Sequence, residues 1–197
     1  MASIVRPFVL FATGGMGRKM TGMERFAFED NQYPFTGVTH VRDIARGIVV
    51  DEEGNVAIHR IYRDDMFGAQ GYYETPGGGV DEGESFEQAF VRECEEEIGC
   101  EVEILSPLCD VKDFYNLIGR ENHNRFFLAI KVKQTHKHFA SDGDQMIQET
   151  LWIPIQEAIS KYEAQEQTGV AGLVRQRELP ALRLAYEEMV RQGLCKR

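Results

Sequence analysis

The chain has 197 residues, enough to bury one core without disulfide staples, and its 43% hydrophobic and 27% charged residues exclude wholesale disorder and fibrous architectures. A formal charge of −10 argues against a broad nucleic-acid surface, because phosphate backbones are bound by clustered Lys and Arg. A small anionic substrate stays open, since a divalent metal reverses the local sign of an acidic site.

The four cysteines, Cys94, Cys100, Cys109 and Cys195, show neither a C-x-x-C pair nor zinc-ribbon spacing. The apolar stretch 8–12 is too short for a membrane span and carries no export signature. The expectation is a cytoplasmic protein without a membrane partner.

Residues 1–37 read as an N-terminal extension without a clear pattern, with a strand expected at 4–11 and a Gly-rich loop at 14–22. Gly15-x-Gly17 lacks the next motif glycine, where Met20 stands, and no Gly-Lys-Ser/Thr follows, so it reads as a loop rather than a phosphate cradle. Residues 38–162 form the expected main domain. It begins with a β-hairpin, 44–50 and 56–61, around the turn residues 51–55. A loop is expected at 63–70 and a short strand at 71–75, which Pro76-Gly77-Gly78-Gly79 must end.

Residues 85–98 carry the clearest helix signal. Ser85 and Gln88 have capping-box spacing, Glu87 suits the positive first turn, and Gly99 supplies a left-handed cap. Strands are expected at 101–105, 124–133 and 151–155, the last limited to an edge or terminus by Pro154, with a helix starting at 156–162. Residues 163–197 read as a C-terminal helical extension packing on the same domain, with Pro180 at the helix start and Leu182, Ala185, Tyr186, Met189 and Val190 at helical spacing.

Gly78, Glu84, Arg92, Glu93, Glu96, Glu97 and Gly99 stand at G-x5-E-x7-R-E-x-x-E-E-x-G spacing. This segment, 78–100, resembles the Nudix box. Cys94 and Cys100 occupy positions where the family carries aliphatic residues, and both are small and apolar enough to pack there. The resemblance implies an α/β fold, a Nudix-type α/β/α sandwich with a mixed β-sheet. It also implies an enzyme that hydrolyses a diphosphate linkage in a nucleoside diphosphate derivative: ADP-ribose, a dinucleotide or a modified nucleoside triphosphate.

The residues themselves pose the chemical problem. On a wheel at about 100° per residue from Phe86, the buried stripe runs through Ala89, Phe90, Cys94 and Ile98, with Glu93 at about 340°, Glu97 at about 20° and Glu96 on the margin at about 280°. Acid-rich helices usually present a solvated face, but here the carboxylates turn inward. Converging carboxylates repel and lose hydration, so they need protons, basic partners or metal. Carboxylate oxygens suit hard Mg²⁺, with Mn²⁺ as a substitute. By resemblance, Glu93, Glu96 and Glu97 are catalytic and metal-binding, and Gly77 offers its carbonyl as a further ligand.

Arg92 is counted with the catalytic group because its fork can hold Glu96 while reaching Glu84, which reads as a loop anchor; Gly78 and Gly99 are structural supports. The family takes its general base either from this helix or from a later loop. Glu149, in an expected loop with Asp142 and Asp144, is the preferred outside candidate. Arg46 and Arg63 are candidates to face phosphate, and Tyr73 or Phe114 to contact a planar group. Two other functions compete: an isoprenoid diphosphate isomerase, for which no Cys and Glu pair is evident, and a noncatalytic nucleotide sensor, which would lose metal-binding carboxylates. Both terminal extensions offer surfaces for a homodimer.

Overall fold

The computed structural model describes residues 23–137 and 144–195. The strand expected at 4–11, the Gly-rich run and Asp142 lie outside them. Eight strands and three helices follow in chain order: β1 (Glu24–Phe28), β2 (His40–Val50), β3 (Asn55–Asp65), β4 (Gly68–Glu74), β5 (Gly77–Gly79), α1 (Phe86–Glu93), β6 (Cys100–Tyr115), β7 (Arg120–Gln134), β8 (Ile147–Pro154), α2 (Ile155–Ala164) and α3 (Gly169–Gln192).

The sheet is mixed. β6 and β7 form a long antiparallel hairpin, β1 runs parallel to β6, and β2 runs parallel to β7. β2 is buried continuously from Ile44 to Val50, as befits a central strand covered on both faces. One core cluster joins α2 and α3 to one face through Ile48, Ile58, Phe126 and Leu128, and a second seats α1 on the other through Ala45, Val49, Ala57 and Phe127. This is an α/β/α sandwich.

The β2–β3 hairpin closes on a single registered pair, Val50↔Val56. Beyond it the strands diverge, β2 following β7 while β3 pairs with β4 and β8. The mouth between them is floored by β5, which lies antiparallel to β2 from Ile44 to Arg46. The cleft described below opens there.

Several elements depart from the sequence reading. The hairpin arms β6 and β7 extend well beyond 101–105 and 124–133, because their polar residues alternate with buried ones such as Asp113, Asn122 and Asn124 that bond one another across the strands. Most of the loop expected at 63–70 is strand, with a tight reversal between Asp65 and Gly68. The helix from 85 changes character at Cys94: residues Cys94–Ile98 form one widened π-type turn, closed by Gly99 at φ 64°. Pro180 sits inside α3 rather than at its start. The buried residues Val170, Ala171, Leu173 and Val174 carry the apolar face back to Gly169, and that packing outweighs the roughly 3 kcal/mol cost of an internal proline.

Gly47 fixes how closely α1 approaches. A Cβ there would lie 2.5 Å from both the Phe127 carbonyl oxygen and the Phe90 ring. Gly47→Ala is therefore expected to cost about 1–3 kcal/mol in chemical denaturation; an unchanged midpoint would show that α1 shifts freely.

Candidate active site

The Gly-rich segment and α1 bring the box residues together. Ser85 caps α1 with both capping-box bonds, Gln88 N–H to Ser85 Oγ at 3.2 Å and Ser85 N–H to Gln88 Oε1 at 2.8 Å. Glu93 and Glu97 are each only 7% exposed, and Glu96 is half-buried at the margin. The wheel's inward glutamates are thus inward in the folded chain.

Arg92 ties this cluster together. Its Nε and Nη2 donate to the two Glu84 oxygens at 2.8 and 2.9 Å, Nη2 also donates to the Gly79 carbonyl at 2.9 Å, and Nη1 reaches Glu93 at 2.8 Å and Glu96 at 3.3 Å. The bidentate pair holds the Glu84 carboxyl down at about 2, chiefly through the Arg92 hydrogen bond. Glu97 accepts from the Gly77 N–H at 2.7 Å and lies 3.3 Å from His59 Nε2, whose other ring nitrogen is 3.1 Å from Thr150 Oγ1. Gly78 has no room for a side chain, since a Cβ would meet the Glu93 carboxylate.

Backbone bonds from Gly47 N–H to the Pro76 carbonyl and from Val80 N–H to the Asp43 carbonyl set the pleat of β5. Alternation then turns the Gly77 N–H and carbonyl away from β2, toward Glu97 and the cleft. Among the described residues, no three His, Cys, Asp or Glu side chains converge at coordinating distance. The reason is visible: the carboxylates are spread onto internal donors, Glu97 onto Gly77 and His59, Glu93 and Glu96 onto Arg92. Burial, with the adjacent Glu97 charge, pushes the Glu93 carboxyl up to about 7 despite Arg92. An oxygen-rich cluster held partly protonated fits a hard divalent cation.

The sign of that shift gives a test. Glu93 titrates near 7 folded and near 4.5 when unfolded, so its contribution to stability is full below about 4.5 and is lost as pH rises through about 7. Metal-free protein should therefore show a falling thermal midpoint from about pH 5 to pH 7.5, flattened in Glu93→Gln. An identical slope in the variant would remove Glu93 from the cause.

The cleft, about 470 Å³, is lined by these glutamates, by His59 and Tyr72, and by several arginines. Sequence reading placed some neighbours elsewhere. Arg46 does line it, but its guanidinium is taken up internally, by Glu74 at 2.7 Å and the Thr75 carbonyl at 2.8 Å. Arg63 lies at the rim, bound to Asp65 and stacked over Phe67. Tyr73 faces the opposite side of β4, with Lys161 over its ring; pleat alternation gives the cleft Tyr72 instead. Phe114 packs edge-on against Phe35, away from the glutamates.

Glu149 is on β8, not in a loop. It is paired with Arg60 at 3.1 Å on the face opposite to His59 and Thr150, outside the cleft. The side chain of Asp144 lies outside the described residues.

The sequence also gave no notice of a buried ion network beneath the cleft. Glu178 of α3 accepts from the Thr75 N–H at 2.7 Å, Tyr162 Oη at 2.8 Å and Arg177 at 2.6 Å, while Arg177 also reaches Glu74 at 2.7 Å. His59 was missed too. Its place two residues after the buried Ala57, on the same face of β3, is the one signal that could have found it.

Comparison with known proteins bears on this geometry. The NUDIX domain model matches residues 41–171. A curated relative from Proteus vulgaris, an 8-oxo-dGTP diphosphatase, is 41% identical over 59 residues, covering 30% of this chain and 51% of its own. The chain thus spans about half the length of that relative. Among solved structures, the E. coli ORF135 protein aligns with a TM-score of 0.54 at 19% identity, covering 76% of this chain and 90% of that one. A NUDIX hydrolase from Nitrosomonas europaea aligns with a TM-score of 0.56 at 18% identity over the same shares, 76% and 90%. At these identities the structural likeness speaks for the fold.

Proposed function

The chain belongs to the Nudix family, and from that premise we propose that it hydrolyses a diphosphate linkage in a nucleoside diphosphate derivative, using Mg²⁺ held by Glu93, Glu96, Glu97 and the Gly77 carbonyl. The observation that carries this reading is that the buried Glu93 and Glu97 both turn onto the glycine segment, Glu97 accepting the Gly77 N–H and Glu93 lying where a Cβ on Gly78 would stand. Nudix hydrolases generally use divalent metal ions. When bound, the ion neutralises the diphosphate oxygens and lowers the pKa of the attacking water.

The chain's own residues do the placing. Arg92, fixed by Glu84, orients Glu93 and Glu96. Gly77 and His59 hold Glu97. Water attacks one phosphorus, the bridging P–O bond breaks, and the second phosphate leaves with the bridging oxygen. With Glu149 outside the cleft, the proton acceptor is assigned to α1 and its last turn. Glu96 is the choice, because among the described residues Arg92, at 3.3 Å, is the one side chain that holds it, and it lies at the cleft margin.

The isomerase reading loses ground, since none of the four cysteines lines the cleft and three are buried elsewhere. The sensor reading would require lost carboxylates, and all are present. Among the described residues no helix is long and apolar enough to cross a membrane.

The test is a substrate panel with Mg²⁺, covering ADP-ribose, a dinucleotide, 8-oxo-dGTP and an isoprenoid diphosphate, with products identified by mass spectrometry. Release of two phosphate-bearing products from a nucleotide supports the reading. Isomerised product, or tight nucleotide binding without turnover, overturns it.

A further inference from the structure

Six arginines line the cleft: Arg42, Arg46, Arg63, Arg92, Arg120 and Arg177. Four are matched by carboxylates, Arg46 and Arg177 by Glu74 and Glu178, Arg63 by Asp65, and Arg92 by Glu84. Arg42 and Arg120 have no such ion pair among the described residues. Arg120 stacks its guanidinium over the Tyr115 ring at 4.9 Å, and its buried Nε has no hydrogen-bond partner there. Arg42 lies against the glycine segment, where a Cβ on Gly79 would stand 2.8 Å from its Nη2.

The parallel register of β2 with β7, His40↔Arg120 and Arg42↔Asn122, puts both side chains on the same face of the sheet as Arg46. Partial desolvation, then repulsion from Arg46, lowers the Arg42 pKa, with Glu93 and Glu74 only partly offsetting it; partial desolvation, with repulsion from Arg42 and Arg177, lowers that of Arg120 against the pull of Tyr115 and Asp113. Arg42 is exposed and Arg120 half-buried, and with neither in an ion pair among the described residues both can offer their guanidinium groups to an anion entering the cleft. The planar guanidinium fork matches phosphoryl oxygens in pairs. The cleft thus has two ends of opposite sign, glutamates on one side of β5 and unmatched arginines on the other.

We propose that Arg42 and Arg120 form a clamp for a phosphoryl group beyond the scissile diphosphate, so that the cleft selects nucleoside triphosphates over conjugates with only two phosphates. The substrate assignment rests on the diphosphate-hydrolase reading, whereas the clamp itself is a binding site that can be measured without turnover.

Two measurements test it on Arg42→Gln, Arg120→Gln and Arg120→Lys. Calorimetric titration with inorganic tripolyphosphate in EDTA should show binding to the wild type, weakened about tenfold in each Gln variant and only partly restored in Arg120→Lys, which keeps the charge but not the planar fork. Thermal midpoints without ligand should not fall, because each Gln substitution relieves like-charge repulsion. In Mg²⁺, kcat/KM for a nucleoside triphosphate should fall about ten times more than that for ADP-ribose in the Gln variants. Absent tripolyphosphate binding, unchanged affinity in both Gln variants, or equal losses on the two substrates would overturn the clamp. Lost tripolyphosphate binding in the variants, with no substrate hydrolysed by the wild type, would keep the clamp and sink the hydrolase reading instead.

Discussion

Glu97→Gln should lower Mg²⁺-dependent turnover by about three orders of magnitude, the equivalent of about 4 kcal/mol of transition-state stabilisation supplied by a correctly held ion. The fold should survive. Glu97 accepts the Gly77 N–H at 2.7 Å, and the Gln amide oxygen can take that bond in the same place. What Gln removes is negative charge, and with it the ability to hold a divalent cation against the neighbouring Arg92 and the Gly77 amide. The measurement is kcat/KM for a substrate found in the panel, with Mg²⁺ titrated, beside a thermal scan. Near wild-type turnover at saturating Mg²⁺ would remove Glu97 from the metal site. A collapse of the thermal midpoint would instead make it structural.

Glu178→Ala should produce the largest loss of stability of any single substitution discussed, about 3–5 kcal/mol, read as a fall of about 10 °C in Tm. Glu178 is fully buried and holds three donors from three elements: the Thr75 N–H, the Tyr162 hydroxyl and the Arg177 guanidinium. Alanine would leave all three short of an acceptor, with Arg177 keeping Glu74 and the Tyr115 hydroxyl but losing its buried counter-charge on α3. Thr75 immediately precedes the Pro76-Gly77-Gly78-Gly79 segment, so α3 is wired directly to the backbone that borders the proposed metal site. The double variant Arg177→Met with Glu178→Leu should lose less than Glu178→Ala, because no charge is left stranded. A loss below about 1 kcal/mol in Glu178→Ala would mean that water enters and solvates Arg177.

The contrast between these two residues shows where sequence reading reaches and where it stops. Glu97 was legible because helical spacing sets it and Glu93 beside Phe90, Cys94 and Ile98 while Glu95 faces out, and the widened turn at Cys94–Ile98 leaves that aim unchanged. Ser85, Gln88 and Gly99 were legible for the same reason, since caps act within a few residues of chain. Glu178 was not. Its partners are 16 and 103 residues away in the chain, at Tyr162 and Thr75, and nothing local distinguishes it from a solvated helix acid.

The same distance rule explains the misplaced candidates. By sequence Arg46 is a candidate to face phosphate, but Glu74 takes its guanidinium, and Tyr73 a candidate for a planar group, but the pleat of β4 turns Tyr72 to the cleft instead. Glu149 read as a loop acid, but β8 pairs with β3 and sets it beside Arg60. Pro180 read as a helix start, and burial of residues 170–174 overrode it.

What the sequence determined by itself is the helix that bears the glutamates, its caps, the glycine segment before it and the inward aim of Glu93 and Glu97, all short-range consequences of helical geometry and glycine's missing side chain. Tertiary structure decided which cations the acids of the fold neutralise and which have no ion pair among the described residues. Ion pairing depends on which strands and helices meet, and a chain's local pattern does not contain that choice.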